Sequence, residues 1–67
     1  MTELEKLKHL LTHWIEHNDA HVINYSEWAS KVDSLGEKEL AVILNRIADE
    51  SKRLNDLFNQ ALQSIKE

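Results

Sequence analysis

The tetrapeptide Asp33-Ser34-Leu35-Gly36 contains the clearest predicted break in a chain of 67 residues, because Gly36 is its single glycine and it has no proline. Glycine readily adopts the left-handed conformation that ends many helices. A chain with so few helix-breaking residues is typical of an all-α protein. We therefore predict two long helices, one on each side of Gly36.

The residues that flank the two predicted helices carry the signals of helix ends. Thr2 and Glu5 have the spacing of a capping box, so the first helix should begin beside Thr2. Glu37 and Glu39 would lie at the positive end of the second helix. We predict one domain, residues 1–67, with a helix at 3–34, a turn at 35–37 and a helix at 38–65.

Apolar residues recur at alternating steps of three and four, the spacing that places side chains on one helical face. The first series, interrupted by polar Asn18 and His21, comprises Leu4, Leu7, Leu11, Trp14, Asn18, His21, Tyr25, Trp28, Val32 and Leu35. The second series comprises Leu40, Leu44, Ile47, Ser51, Leu54, Phe58, Ala61 and Ile65. Folding back at Gly36 brings the two series level, with Trp14 opposite Phe58, which predicts an antiparallel hairpin.

Further apolar residues, among them Val22, Ala29, Ala41 and Ala48, widen both series beyond what one helix–helix interface can cover. A two-helix hairpin has a single internal interface, and a chain of this length has a marginal core by itself. We therefore predict that two copies pair as a homodimeric four-helix bundle. The residues expected to be buried by this pairing are Ile15, Val22, Ile43 and Leu57.

An alternative places a break inside the first helix, because Asp19 could cap a new helix that starts after Asn18. A three-helix protein would result. The two-helix form is favoured, since the apolar series passes through Asn18 without a change of phase.

The composition excludes several classes of site and partner. The chain has no cysteine, so disulfides and thiolate metal sites are excluded. Its net charge of −4 is not collected into blocks, which argues against nucleic-acid binding and against a basic membrane-surface helix. No apolar run approaches the ~20 residues that span a bilayer, and there is no signal-peptide pattern, so we expect a cytoplasmic protein.

All four histidines lie in the first helix at intervals of four residues: His9, His13, His17 and His21. Imidazoles four residues apart on a helix can bind one divalent metal ion, and nitrogen ligands suit zinc, nickel and copper. His17 with His21 is the first candidate pair and His13 with His17 the second. Further ligands would come from Glu50 or from a second copy. Alternatively, these histidines bind no metal and are solvated or tied to neighbouring polar groups.

Asn18 and His21 are polar residues within the first apolar series, where such residues can fix helix register and oligomeric state. If buried, each needs a hydrogen-bond partner from the second helix or costs ~1–3 kcal/mol. The predicted polar layer comprises Asn18, His21, Ser51 and Asn55.

The segment His13-Trp14-Ile15-Glu16-His17 matches the H-x-x-E-H pattern of inverted zinc peptidases, in which Glu16 would be the general base. That chemistry needs a third protein ligand, an open coordination position and a cleft that excludes water. A hairpin of this size has no second domain to form such a cleft. We therefore predict that the protein is not an enzyme.

The pattern His13-Trp14-x-x-His17-Asn18-x-x-His21-x-x-x-Tyr25-x-x-Trp28-Ala29 resembles a small helical-hairpin domain of unknown function from anaerobic bacteria and archaea. That domain occurs alone or fused to CooT-like nickel-binding accessory proteins of carbon-monoxide dehydrogenase maturation. The resemblance covers most of the first helix. It implies a metal-linked role, nickel rather than zinc, and a partner in metalloprotein maturation. The residues it implicates are His13, Trp14, His17, Asn18 and His21.

The predicted function is therefore that of a small non-enzymatic helical module that binds divalent nickel or zinc through the histidines of its first helix. The alternative is a structural or protein-interaction bundle in which His21 and Asn18 only fix the packing register.

Overall fold

Two α-helices pack antiparallel against each other in the computed structural model, which describes residues 2–65. Helix α1 spans Glu3–Ser34 and helix α2 spans Lys38–Ser64, and no strand occurs within the described residues. The predicted all-α hairpin is confirmed. Because α1 continues through Asn18 and Asp19, the three-helix alternative is wrong. The outermost residues of the predicted domain, 1, 66 and 67, lie outside the described residues.

The ends of the helices are formed by the residues that the sequence indicates. The Thr2 hydroxyl oxygen accepts a hydrogen bond of 3.1 Å from the Glu5 backbone N–H at the start of α1. At the turn, the N–H of Gly36 donates to the carbonyl of Asp33 and the N–H of Glu37 donates to the carbonyl of Val32, both at 3.0 Å. These two bonds form a Schellman motif, and Gly36 supplies its left-handed residue with a φ of 89°.

Replacing Gly36 with alanine should lower the free energy of unfolding by about 1–2 kcal/mol, because a Cβ atom disfavours a positive φ. Apart from Gly36 and its two chain neighbours, no atom of the described residues lies within 4 Å of the position that this Cβ would occupy, so the loss would come from the backbone alone. Urea unfolding followed by circular dichroism measures the change. Gly36→Asn is the control and should lose less, since asparagine tolerates this conformation. Equal stability of Gly36→Ala and the wild type would contradict the prediction.

The interface between the helices is built around small side chains. Ala29, Ala41 and Ala48 are each at most 4 % exposed, so the helices approach closely in the half of the hairpin near the turn. Larger side chains fill the other half, where the rings of Trp14 and Phe58 lie 6.3 Å apart in the predicted register. The buried residues are Leu11, Val22, Ala29, Ala41, Ala48 and Asn55.

This line of buried residues differs from the two predicted series. Val22 and the three alanines, expected beside the series, occupy the centre of the interface. The apolar stripe on each helix is broader than one interface, and both helices are rotated so that the alanine edge of the stripe faces inward. Several members of the predicted series are therefore between 41 and 56 % exposed, namely Trp14, Trp28, Leu40, Ile47 and Leu54.

The residues expected to be buried by a second copy separate into two pairs. Val22 is buried within the single hairpin, so its burial requires no second copy, contrary to the prediction, whereas Ile15 is only half-buried. Ile43 and Leu57 are 55 % and 59 % exposed.

The molecule is elongated and one layer thick. Its Cα positions extend over 51 × 15 × 10 Å with a radius of gyration of 15.6 Å. A compact domain of this length has a radius of gyration of about 11 Å. Domains usually enclose their core between two layers of secondary structure, and a single hairpin supplies one. Within residues 2–65, neither helix combines the length and the apolar character that crossing a membrane requires.

Candidate functional site

A network of polar side chains joins the two helices at the middle of the hairpin. The side-chain amide of Asn18 donates to the backbone carbonyl of Ser51 at 2.6 Å and to Oδ1 of Asn55 at 2.9 Å. Asn55, buried in the interface, uses its own amide to donate to a carboxylate oxygen of Asp19. Because each of these contacts links α1 to α2, the network fixes the register of the helices.

The structure brings Asn18, Ser51 and Asn55 together as the predicted polar layer requires, but it leaves His21 outside. His21 is exposed, and its ring stacks on that of Tyr25 at a centroid distance of 6.1 Å. Val22 occupies the interface instead, and the preceding residue points ~100° away from it around the helix. Asp19 takes part in the network although the sequence suggested it only as a helix cap.

His13, His17 and His21 form a continuous row along α1. The ring centroids of His13 and His17 are 4.8 Å apart and those of His17 and His21 are 5.9 Å apart. No hydrogen bond or ion pair among the described residues involves an imidazole of this row. These nitrogens are therefore available to a ligand from outside the hairpin.

The histidine row lies beside an exposed apolar surface. One shallow groove with a volume of about 400 Å³ is lined by His13, Trp14, His17, Asn18, His21, Leu54 and Phe58. A second groove is lined by Ile43, Arg46, Ile47, Glu50, Ser51 and Leu54. Leu54 belongs to both grooves, so they lie on the same side of the hairpin. We call this surface the apolar face and define it by Trp14, His17, His21, Ile43, Ile47 and Leu54.

Heptad spacing extends the apolar face toward the turn. Trp28 lies seven residues after His21, and Leu40 lies seven residues before Ile47, so each continues its row. Both side chains are more than 40 % exposed. The Lys31 ammonium lies 4.5 Å from the centre of the Trp28 ring and covers part of it by a cation–π contact.

The predicted ligand Glu50 does not join the histidines. Its carboxylate lies 3.8 Å from Arg53, and it lines the second groove whereas His17 and His21 line the first. Within residues 2–65 no three histidine, aspartate or glutamate side chains are grouped closely enough to hold one metal ion. One chain therefore offers pairs of imidazoles but no third ligand.

The remaining histidine and the peptidase pattern lie apart from the candidate pair. His9 lines a different groove, together with Glu5, Lys8, Thr12 and Leu62. Glu16, the candidate general base, is exposed on α1. Within residues 2–65, the three charged or polar members of the H-x-x-E-H pattern, His13, Glu16 and His17, are all exposed.

Comparison with known proteins gives a family and a relative. Residues 7–65 match the family described as domain of unknown function (DUF8180). A protein of Archaeoglobus fulgidus, named as an uncharacterized protein, is 34 % identical over 62 residues, which cover 92 % of this chain and 98 % of that protein. No solved structure matches the chain. The association with CooT-like nickel-binding proteins stays a prediction.

Proposed function

Because the chain belongs to the family described as domain of unknown function DUF8180, whose name supplies no activity, we propose its role from its geometry. The domain is a non-enzymatic module that pairs with a second copy of itself, apolar face against apolar face, to form a four-helix bundle. The observation that carries this proposal is the set of large apolar side chains around His17 and His21 that the single hairpin leaves exposed.

The exposed area supports a partner of about the same size. The chain exposes 5222 Å². A compact monomer of its mass, 7.8 kDa, exposes roughly 4,400 Å². The excess, roughly 800 Å², is close to the area that each partner buries in a protein interface of standard size. A second hairpin laid along the first would cover a surface of this extent.

The chemistry of the apolar face also suits a copy of itself. Two-fold pairing brings the same patch of both chains together, so the patch must be self-complementary. The ionised side chains that line the two grooves are Arg46 and Glu50, which carry opposite charges. Pairing through this face therefore places no large patches of like charge against each other.

Metal binding is a second candidate function, favoured by the 4.8 and 5.9 Å spacing of the three imidazoles on α1. Paired imidazoles at this spacing suit a borderline divalent ion such as zinc or nickel. Nickel in particular, and a partner in metalloprotein maturation, are supported by the resemblance of the histidine pattern alone.

The melting temperature should depend on protein concentration if pairing and folding are coupled. A dimer that dissociates on unfolding becomes more stable as its concentration rises. We expect the melting temperature, followed by circular dichroism, to rise by several degrees over a hundredfold increase in chain concentration. A constant melting temperature over this range would overturn the proposed pairing.

A further inference from the structure

We propose that the self-paired module has a composite metal site, in which His17 and His21 of both copies bind one divalent ion of the zinc, nickel or copper class at the two-fold axis. This inference rests on the proposed function, because one chain supplies a pair of imidazoles and no third ligand among its described residues. Pairing would complete the site.

Along the hairpin, the two histidines lie near mid-length. The midpoint of α1 (Glu3–Ser34) falls between Asn18 and Asp19, so His17 and His21 lie on either side of it. Two hairpins 51 Å long bury the most surface when they overlap over their full length. Full overlap of antiparallel hairpins places the two-fold axis at mid-length, level with these two histidines.

The two sides of the apolar face differ in polarity, and this difference favours one orientation of a hairpin on its partner. The α2 side of the apolar face is aliphatic, formed by Ile43, Ile47 and Leu54, whereas the α1 side presents His17 and His21. Packing the histidines on the partner's aliphatic side would bury polar nitrogens without hydrogen-bond partners, which is costly. Packing α1 on the partner's α1 and α2 on the partner's α2 instead places imidazole against imidazole, where one ring N–H can donate to another ring nitrogen or the nitrogens can share an ion.

Full-length overlap and the packing of α1 on the partner's α1 together bring four imidazoles to one place. In an antiparallel α1 pair centred at mid-length, His17 of one copy lies within one residue of the level of His21 of the other. The imidazoles within each chain are already adjacent, with ring centroids 5.9 Å apart, and their nitrogens have no hydrogen-bond partner among residues 2–65. Four neutral imidazoles are a nitrogen ligand set for a borderline divalent metal, bound at ~2.0–2.1 Å in the case of zinc.

A metal at this position would also hold the copies together. An ion that binds the pair and not the single chain stabilises the pair, and pairing raises the affinity for the ion by the same factor. His13 lies farther from mid-length than His17 and His21, so it falls outside the four-imidazole set.

The test is calorimetric titration of the full chain, purified without a histidine tag, with zinc chloride and separately with nickel chloride. We expect one ion per two chains and a higher melting temperature that a chelator reverses. His17→Ala and His21→Ala should each lose this binding. His9→Ala should keep it, because His9 lines a separate groove. His17→Ala and His21→Ala both change exposed side chains, and circular dichroism checks that the two variants remain helical.

Sedimentation of the same samples gives the mass of the complex, which distinguishes a failure of the composite metal site from a failure of the proposed pairing. A chain that is dimeric without metal but binds no ion, or binds one ion per chain, overturns the composite site and leaves the proposed pairing intact. Binding that survives in both His17→Ala and His21→Ala also overturns the site. A chain that stays monomeric with and without metal overturns the composite site and the proposed function together.

Discussion

Leu54→Lys is expected to separate the proposed pair into single hairpins. Leu54 lies where the two grooves of the apolar face meet, and it is 43 % exposed in the single chain, so the change leaves the interface between α1 and α2 largely intact. In the pair it would bury an ammonium group in an apolar groove, where the carboxylate of Glu50 is already shared with Arg53. We expect the pair to weaken by about 3 kcal/mol or more, over a hundredfold in Kd. A two-fold interface contains the substitution twice, which increases the effect.

The matched control for this change is Val42→Lys, which adds the same charge to α2. Val42 is 66 % exposed and lines neither groove of the apolar face. Size-exclusion chromatography with light scattering should show the mass of a single chain for Leu54→Lys and the mass of the pair for Val42→Lys. If both variants keep the mass of the pair, the apolar face is not where the copies meet.

The second large effect is expected at the polar network in the hairpin. Asn55→Asp keeps an oxygen that can accept from Asn18, but it replaces the amide that donates to Asp19 by a second carboxylate. Two carboxylates would then face each other at the edge of the interface. We expect the free energy of unfolding to fall by about 2–3 kcal/mol at neutral pH, because the new carboxylate is buried and faces the carboxylate of Asp19, which loses its donor.

Adding Asp19→Asn to Asn55→Asp should restore most of this loss. The pair of substitutions exchanges donor and acceptor, so the amide at position 19 can donate to the carboxylate at position 55. Urea unfolding of the wild type, both single variants and the double variant gives the coupling energy. Asn45→Asp adds the same charge at an exposed site on α2 and serves as the control. Additive effects of the two substitutions would show that the two side chains are not coupled.

The hairpin could be predicted from the sequence because its determinants are local. The single Gly36 marks the turn, Thr2 caps α1, and the apolar series shows no change of phase at Asn18. Each of these signals depends on neighbouring residues and on a backbone preference. The placement of Trp14 opposite Phe58 follows once the turn is fixed.

The rotation of the helices could not be predicted in the same way. Each helix carries an apolar stripe wide enough for two interfaces, and periodicity alone does not show which edge faces the other helix. The choice depends on packing, because the alanines at positions 29, 41 and 48 allow closer approach than the tryptophans and leucines of the predicted series. The rotation that buries Val22 leaves His21 exposed.

The candidate site could be predicted only in part, because helical spacing is local and contacts between the two helices are not. Spacing predicts which histidines neighbour one another on α1, and His13, His17 and His21 form that row. It does not predict which residues of α2 face them, and Glu50, the ligand that the sequence suggests, lines another groove. The sequence pattern does not predict Asp19 as a hydrogen-bond acceptor, because its donor, Asn55, is distant in sequence.

Sedimentation equilibrium of the unmodified chain tests the central claim most directly. The proposed pairing predicts a mass of twice 7.8 kDa at micromolar concentrations without added metal, because the apolar face alone drives association. A mass of 7.8 kDa at every concentration up to the solubility limit would show that two copies do not pair through this face, and would contradict the proposed pairing.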